Sequence, residues 1–148
     1  MWQIEDEIVI ARPVGEVFDF VADETNEPAY NPGMVRAEKV TAGPLGVGTR
    51  FVTTMKTWGR PLRGQVEYTA FDRPARLSSV TQMANTEITG TLTFQPVPAG
   101  TRLHWSWQLR PHGAAKLLAL ALRPVGARQE KTNWRRLKHH LETAPPRR

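Results

Sequence analysis

A chain of 148 residues with 40% hydrophobic and 23% charged side chains is sized and composed for one globular domain, not for wholesale disorder. It contains no cysteine, which excludes disulfides, zinc thiolates, iron–sulfur clusters and a cysteine nucleophile, and fits a cytoplasmic address. The net charge of +6 sits at one end: residues 1–122 balance to zero, whereas residues 123–148 carry eight Lys/Arg against Glu130 and Glu142. A neutral body is not built to hold nucleic acid, so any electrostatic partner should meet the C-terminal segment.

Residues 2–11 predict a first strand, with Ile4, Ile8 and Ile10 on one face, Asp6 among them, and Gln3, Glu5 and Glu7 opposite. Its acidic opening lacks the basic start and apolar run of a secretory signal, and the longest apolar run, residues 117–122, is far too short to span a bilayer. Arg12-Pro13 opens a short helix with Val14, Val17, Phe18 and Val21 at helical spacing. A second short helix or turn, residues 23–32, closes at Pro32-Gly33.

Six strands then follow in a meander over residues 34–42, 48–58, 63–72, 76–83, 86–96 and 101–110, which predicts an antiparallel sheet. Phe71 breaks the alternation of Val66 and Tyr68 and predicts a bulge. After Pro111-His112-Gly113 the period is helical to about Thr143, with Pro124 expected to kink the helix or start a new one. One stripe runs through Leu118, Ala121, Leu122 and Val125 and drifts to Asn133, Leu137 and Leu141, with Trp134 at its edge. Arg128, Lys131, Arg135 and Lys138 gather on the other side, a solvated basic stripe that Arg147 and Arg148 extend. Residues 1–143 read as a single domain and 144–148 as a flexible tail.

Several phrases carry a family resemblance. They are residues 12–23, opening Arg12-Pro13-Val14-Gly15-Glu16-Val17-Phe18; residues 26–32, Asn26-Glu27-Pro28-Ala29-Tyr30-Asn31-Pro32; and residues 46–51, Gly46-Val47-Gly48-Thr49-Arg50-Phe51. Residues 71–77, 100–107 and 136–142 extend the match. Together they resemble the polyketide cyclase/dehydrase-like branch of the START-like, or SRPBCC, superfamily. The resemblance implies an α+β helix-grip fold: a seven-stranded antiparallel sheet wrapped around a long C-terminal helix, with two short helices between strands 1 and 2. It also implies a hydrophobic cavity between sheet and helix. Members bind lipids, polyketides, hormones or other apolar molecules, and some are cyclases, dehydratases or hydrolases.

Strand parity and the helical stripe then select candidate cavity residues. These are Tyr30, which follows the short helices; Phe51, Met55, Tyr68, Met83, Trp105 and Trp107 from the sheet; and Leu118, Leu122, Gln129 and Asn133 from the helix. Trp58, at a hairpin tip, suggests a lid or contact surface, and an inward Asp6 would be an acid in need of a partner. No catalytic triad order, paired carboxylate, P-loop, dinucleotide fingerprint or metal-ligand spacing is recognisable, so few titratable groups are expected to face inward and no cofactor or metal is expected. The expected function is binding of a small hydrophobic or amphipathic, lipid-like or polyketide-like ligand. The alternative is a cyclase or dehydratase acting on a polyketide-like or other cyclic substrate. A weak contact of the basic helix with an anionic membrane or acidic partner is a further expectation, and nucleic acid is not an expected partner.

Overall fold

The computed structural model describes residues 2–57 and 59–144, apart from the side chains of Trp2, Leu118, Ala119 and Arg123. The elements are β1 (Trp2–Ile10), α1 (Val14–Ala22), a 3-10 turn (Glu24–Ala29), β2 (Met34–Lys39), β3 (Arg50–Met55), β4 (Leu62–Asp72), β5 (Arg76–Met83), β6 (Thr86–Val97), β7 (Gly100–Pro111) and α2 (Ala115–Thr143). The predicted strands at 34–42 and 48–58 are both shorter than expected. Gly43 and Gly48 adopt positive φ of 86° and 88°, which takes the intervening chain out of the extended ladder.

The strands form one antiparallel sheet in the order β1-β7-β6-β5-β4-β3-β2. The meander explains every neighbour except β1, which pairs with the last strand, Ile10 opposite Thr101 and Ile4 opposite Trp107. β1 and β2 are therefore the two edges of the sheet. α1 and the 3-10 turn lie between them in the chain and carry it from one edge to the other.

The predicted bulge appears as a register shift between Tyr68 and Ala70. Phe71 then meets the Phe18 ring edge-on at 5.3 Å, and Phe94 meets the same ring at 5.0 Å. Edge-to-face rings at this spacing add to the burial that seats α1, whose Val17, Phe18, Val21 and Ala22 are all buried. Tyr68 fastens the end of α1 by donating its hydroxyl to the Ala22 carbonyl at 2.5 Å.

The second half of α2 closes the core. Trp134, Leu137 and Leu141 are buried, and Trp134 stacks on Trp105 with 5.3 Å between ring centroids. The junction of β1 and α1 holds this half in place. Lys138 Nζ donates to the Val9 carbonyl at 2.8 Å, Ala11 N–H donates to Glu142 at 2.8 Å, and Arg12 Nε donates to the Leu141 carbonyl at 2.8 Å.

The first half of α2 differs. Its helix runs unbroken through Pro124, so no new helix begins there. The missing proline N–H frees the Leu120 carbonyl on a stretch exposed enough for water to meet it. Among the described residues, the large apolar side chains of this half are outside: Leu117 is 76% exposed, and Leu120, Leu122 and Val125 are also exposed. No helix among the described residues is long and apolar enough to cross a membrane.

Candidate functional site

The inner face of the sheet is filled at one end and hollow at the other. Trp105, at 1% exposed, lies under Trp134 at the filled end. Two residues along β7, on the same face, Trp107 borders a partly open cavity of about 290 Å³. Its floor and sides are mostly apolar, with Ile4, Met34, Met55, Met83, Ile88 and Leu109 beside Trp107. Thr53, Val66, Ser79 and Thr81 complete the sheet side. Unbranched methionines give such a wall adaptable shape.

Two glycines make the hollow. A Cβ at Gly90 would fall 1.6 Å from the Trp107 ring, so only glycine lets that indole lie over β6. α2 offers Gly126 above the cavity, where a Cβ would meet nothing within 4 Å. A larger residue at that helical position would occupy the space.

Three carboxyl groups face this apolar space: Glu24 and Glu27 from the 3-10 turn and Glu130 from α2. Glu130 Oε1 accepts from Trp107 Nε1 at 2.7 Å and from Trp134 Nε1 at 3.2 Å. One indole comes from the sheet and the other from the next turn of the same helix, so the carboxylate is fixed between layers. Glu27 accepts from Asn31 Nδ2 at 3.2 Å, and Glu24 stands beside it on the same turn. Asp23 caps the turn that presents both, accepting from Thr25 N–H at 3.1 Å.

Burial pushes all three acids toward the protonated form. The Glu27 carboxyl is pushed up to about 7, first by desolvation and then by the Glu130 charge. Glu24 is raised well above the usual carboxylate range by desolvation and by Glu27. Glu130 is raised by desolvation although its two indole donors oppose the shift. No Lys, Arg or His stands among the described lining residues. The cavity thus holds proton donors and acceptors for neutral pH in a largely apolar setting. Among the described residues, no three His, Asp or Glu side chains converge to hold a metal ion.

The expectation of few inward titratable groups is corrected by these acids. The sequence signal for Glu130 is an isolated acid in a basic segment, four residues before a tryptophan. Glu24 and Glu27, three apart, share one face of a turn. Asp6, the acid weighed instead, sits by the sheet edge. Its carboxylate meets Lys131 Nζ at 3.0 Å and is held below its usual range, first by the Glu7 N–H and then by Lys131.

Of the residues expected at the cavity, Met55, Met83 and Trp107 stand on its wall. Phe51, Tyr68 and Trp105 are on the expected face but are packed core, because α1 and the second half of α2 cover that end of the sheet. Tyr30 is also core, with its ring between Phe20 and Trp134. On the helix, Asn133 is buried but does not line the cavity. Gly126 and Glu130 face the cavity, whereas Gln129 is exposed and donates to Asn133 Oδ1 at 3.0 Å, so the two amides meet each other. Leu122 is exposed because apolar character does not mark the buried side of this half. The Leu118 side chain and Trp58 lie outside the described residues, as do Arg147 and Arg148.

The basic stripe is not uniformly solvated. Arg128, Lys131 and Arg135 are exposed, Lys131 while paired with Asp6, whereas Lys138 is half-buried and bonds both Glu142 and the Val9 carbonyl. Two of its four cations thereby fasten α2 to the β1 edge.

Comparison with known proteins places this architecture. A sequence search of curated proteins returned no match. Among solved structures, the protein TTHA0849 from Thermus thermophilus aligns with a TM-score of 0.77 at 18% identity, over 93% of this chain and 95% of that one. Ms6760 from Mycobacterium smegmatis aligns at 0.70 and 22% identity, over 94% and 90%. The di-domain ARO/CYC BexL of the BE-7585A biosynthetic pathway aligns at 0.76 and 26% identity, over 98% of this chain but 48% of that one, about the length of one of its two domains. The family model described as polyketide cyclase / dehydrase and lipid transport matches residues 1–142. With that match over nearly the whole chain, and with a seven-stranded antiparallel sheet closed by one long terminal helix, the protein belongs to the polyketide cyclase/dehydrase and lipid transport family.

Proposed function

We propose that this protein binds a small hydrophobic or amphipathic organic molecule in the cavity between the sheet and α2. The observation that carries the reading is the cavity itself: about 290 Å³, floored by Met34, Met55, Met83, Ile88 and Trp107, with polar groups confined to a few positions. The family description, which names both polyketide chemistry and lipid transport, supports a ligand of lipid-like or polyketide-like character. The cysteine-free sequence fits a cytoplasmic site of action.

Gly126→Leu tests the reading, because the new side chain enters the cavity from α2 without replacing any packed group. The neutral probe N-phenyl-1-naphthylamine should brighten with the wild-type protein and bind the variant at least tenfold more weakly. Equal binding by both proteins, or no binding by folded wild type, would overturn it.

The second reading is a cyclase or dehydratase, and the Glu24–Glu27 pair favours it. A carboxyl pushed up to about 7 exchanges a proton readily at neutral pH, as a general acid or base requires. Under that reading, Glu27→Gln should abolish turnover of a polyketide-like substrate while leaving its binding intact.

A further inference from the structure

The cavity contains an unbalanced charge arrangement for a site that holds only apolar matter. Glu24, Glu27 and Glu130 border it, and no cationic side chain does so among the described residues. Asp23 adds a fourth acid at the start of the turn. The other groups facing the pair are Asn31, which bonds Glu27, and the phenols of Tyr30 and Tyr68. None supplies a positive charge.

The carboxyl oxygens are not used up within the protein. Glu130 Oε1 takes both indole hydrogens, and Oε2 has no donor among the described residues. A separate feature points to an occupant with polar groups. Thr53 is 1% exposed and lines the same cavity, and its Oγ1 has no hydrogen-bond partner among the described residues. Buried hydroxyls are almost always satisfied, and an idle one costs free energy unless something else supplies its partner. Among the described residues the acids are not grouped closely enough to hold a divalent cation.

We propose that the occupant is an amphipathic organic amine, with its apolar body on the methionine and Trp107 wall and its ammonium group among Glu24, Glu27 and Glu130. This rests on the ligand-binding reading above and names the chemistry of the ligand. An ammonium supplies the missing counter-charge and up to three N–H donors, and it suits acids on two elements better than a carboxylate or a neutral alcohol does. A fatty acid or an anionic polyketide would instead place like charge against three carboxyls.

The test uses three matched probes, 4-phenylbutylamine, 4-phenylbutanol and 4-phenylbutanoate, titrated calorimetrically at pH 8 and low salt. The amine should bind at least tenfold more tightly than the alcohol, and the carboxylate most weakly. Glu130→Gln and Glu27→Gln should each cut the amine-to-alcohol ratio at least fivefold, with an unchanged far-UV circular dichroism spectrum and a cooperative urea transition reporting that the variant is folded. Alcohol and amine binding equally, carboxylate binding tightest, or both variants keeping the wild-type ratio would overturn the amine while leaving an apolar cavity site in place. No binding of any probe by folded wild type would remove both readings.

Discussion

The two halves of α2 lie along one continuous helix yet behave as different materials. From Asn133 onward, apolar side chains point to the sheet, Trp134 stacks on Trp105, and the helix is bonded to β1 and to Arg12. Before Gly126, the side chains of Leu117, Leu120, Leu122 and Val125 point to water, and the position above the cavity is a glycine with no side chain. The same inner face of β7 thus contributes core at Trp105 and cavity wall at Trp107. What decides between core and cavity is the residue above: an indole in one case, a glycine and a carboxylate in the other. A helix-covered sheet gains a site where the cover is thinned, with no change in its strands.

The largest test of this contrast is Trp105→Ala. A fully buried indole under a stacked partner should cost about 3–5 kcal/mol when truncated, read as a shifted urea midpoint. A loss of only about 1 kcal/mol would mean that the filled end is hollow as well.

A smaller effect is expected from the acids at the open end, with an informative sign. Glu27 binds its proton more tightly folded than unfolded, so its contribution is fully present below its unfolded value of about 4.5 and falls away as pH rises through about 7. Asp6 and Glu142 have lowered values and act oppositely, losing their contribution as pH falls through them. Glu27→Gln isolates the first effect. The variant should match wild type near pH 5 and exceed it in stability at pH 8, because the buried charge is gone. Equal stability of the two proteins at both pH values would show that Glu27 is well solvated.

The smallest effect is assigned to the exposed half of α2. Leu120→Ser should change the unfolding free energy by less than about 0.5 kcal/mol, since its side chain is largely in water already. A loss above about 2 kcal/mol would mean that this half packs as firmly as the other.

The fold was legible because its signals are local and repeated. Alternation together with the turn residues between strands located all seven, and Phe71 marked the bulge because a broken period has a geometric cause. Parity placed Trp105 and Trp107 on one face, correctly. Parity says nothing about depth, so it could not tell which indole would be covered. On α2 the reading went to Leu122 and Gln129, which are both exposed, whereas a glycine and a glutamate line the cavity. Hydrophobicity identifies packed faces well and hollow ones poorly, because a cavity needs small or polar groups where a core needs large apolar ones. The Glu24, Glu27 and Glu130 grouping joins a turn to a helix far along the chain, and no spacing within either element reveals it.

The pairing of β1 with β7 has a consequence for how the chain acquires its structure. Trp2 finds its partner at Leu109 and Ile10 at Thr101, so the earliest strand of the sheet is completed by the latest. Every other adjacent pair closes through a hairpin or short loop and can form as soon as its second strand exists. β1 must wait for nearly the whole sheet, and closing so long a loop is an entropic debt settled only when Trp107 and its neighbours arrive. Topologies dominated by such distant contacts fold slowly. During synthesis the backbone edge of β1 that meets β7 stays unpaired until β7 leaves the ribosome, and the bonds of Lys138 to the Val9 carbonyl and of Arg12 to the Leu141 carbonyl come later still. The latest elements therefore fasten the earliest, and a chain shortened before β7 loses the anchor of its edge strand as well as its long helix.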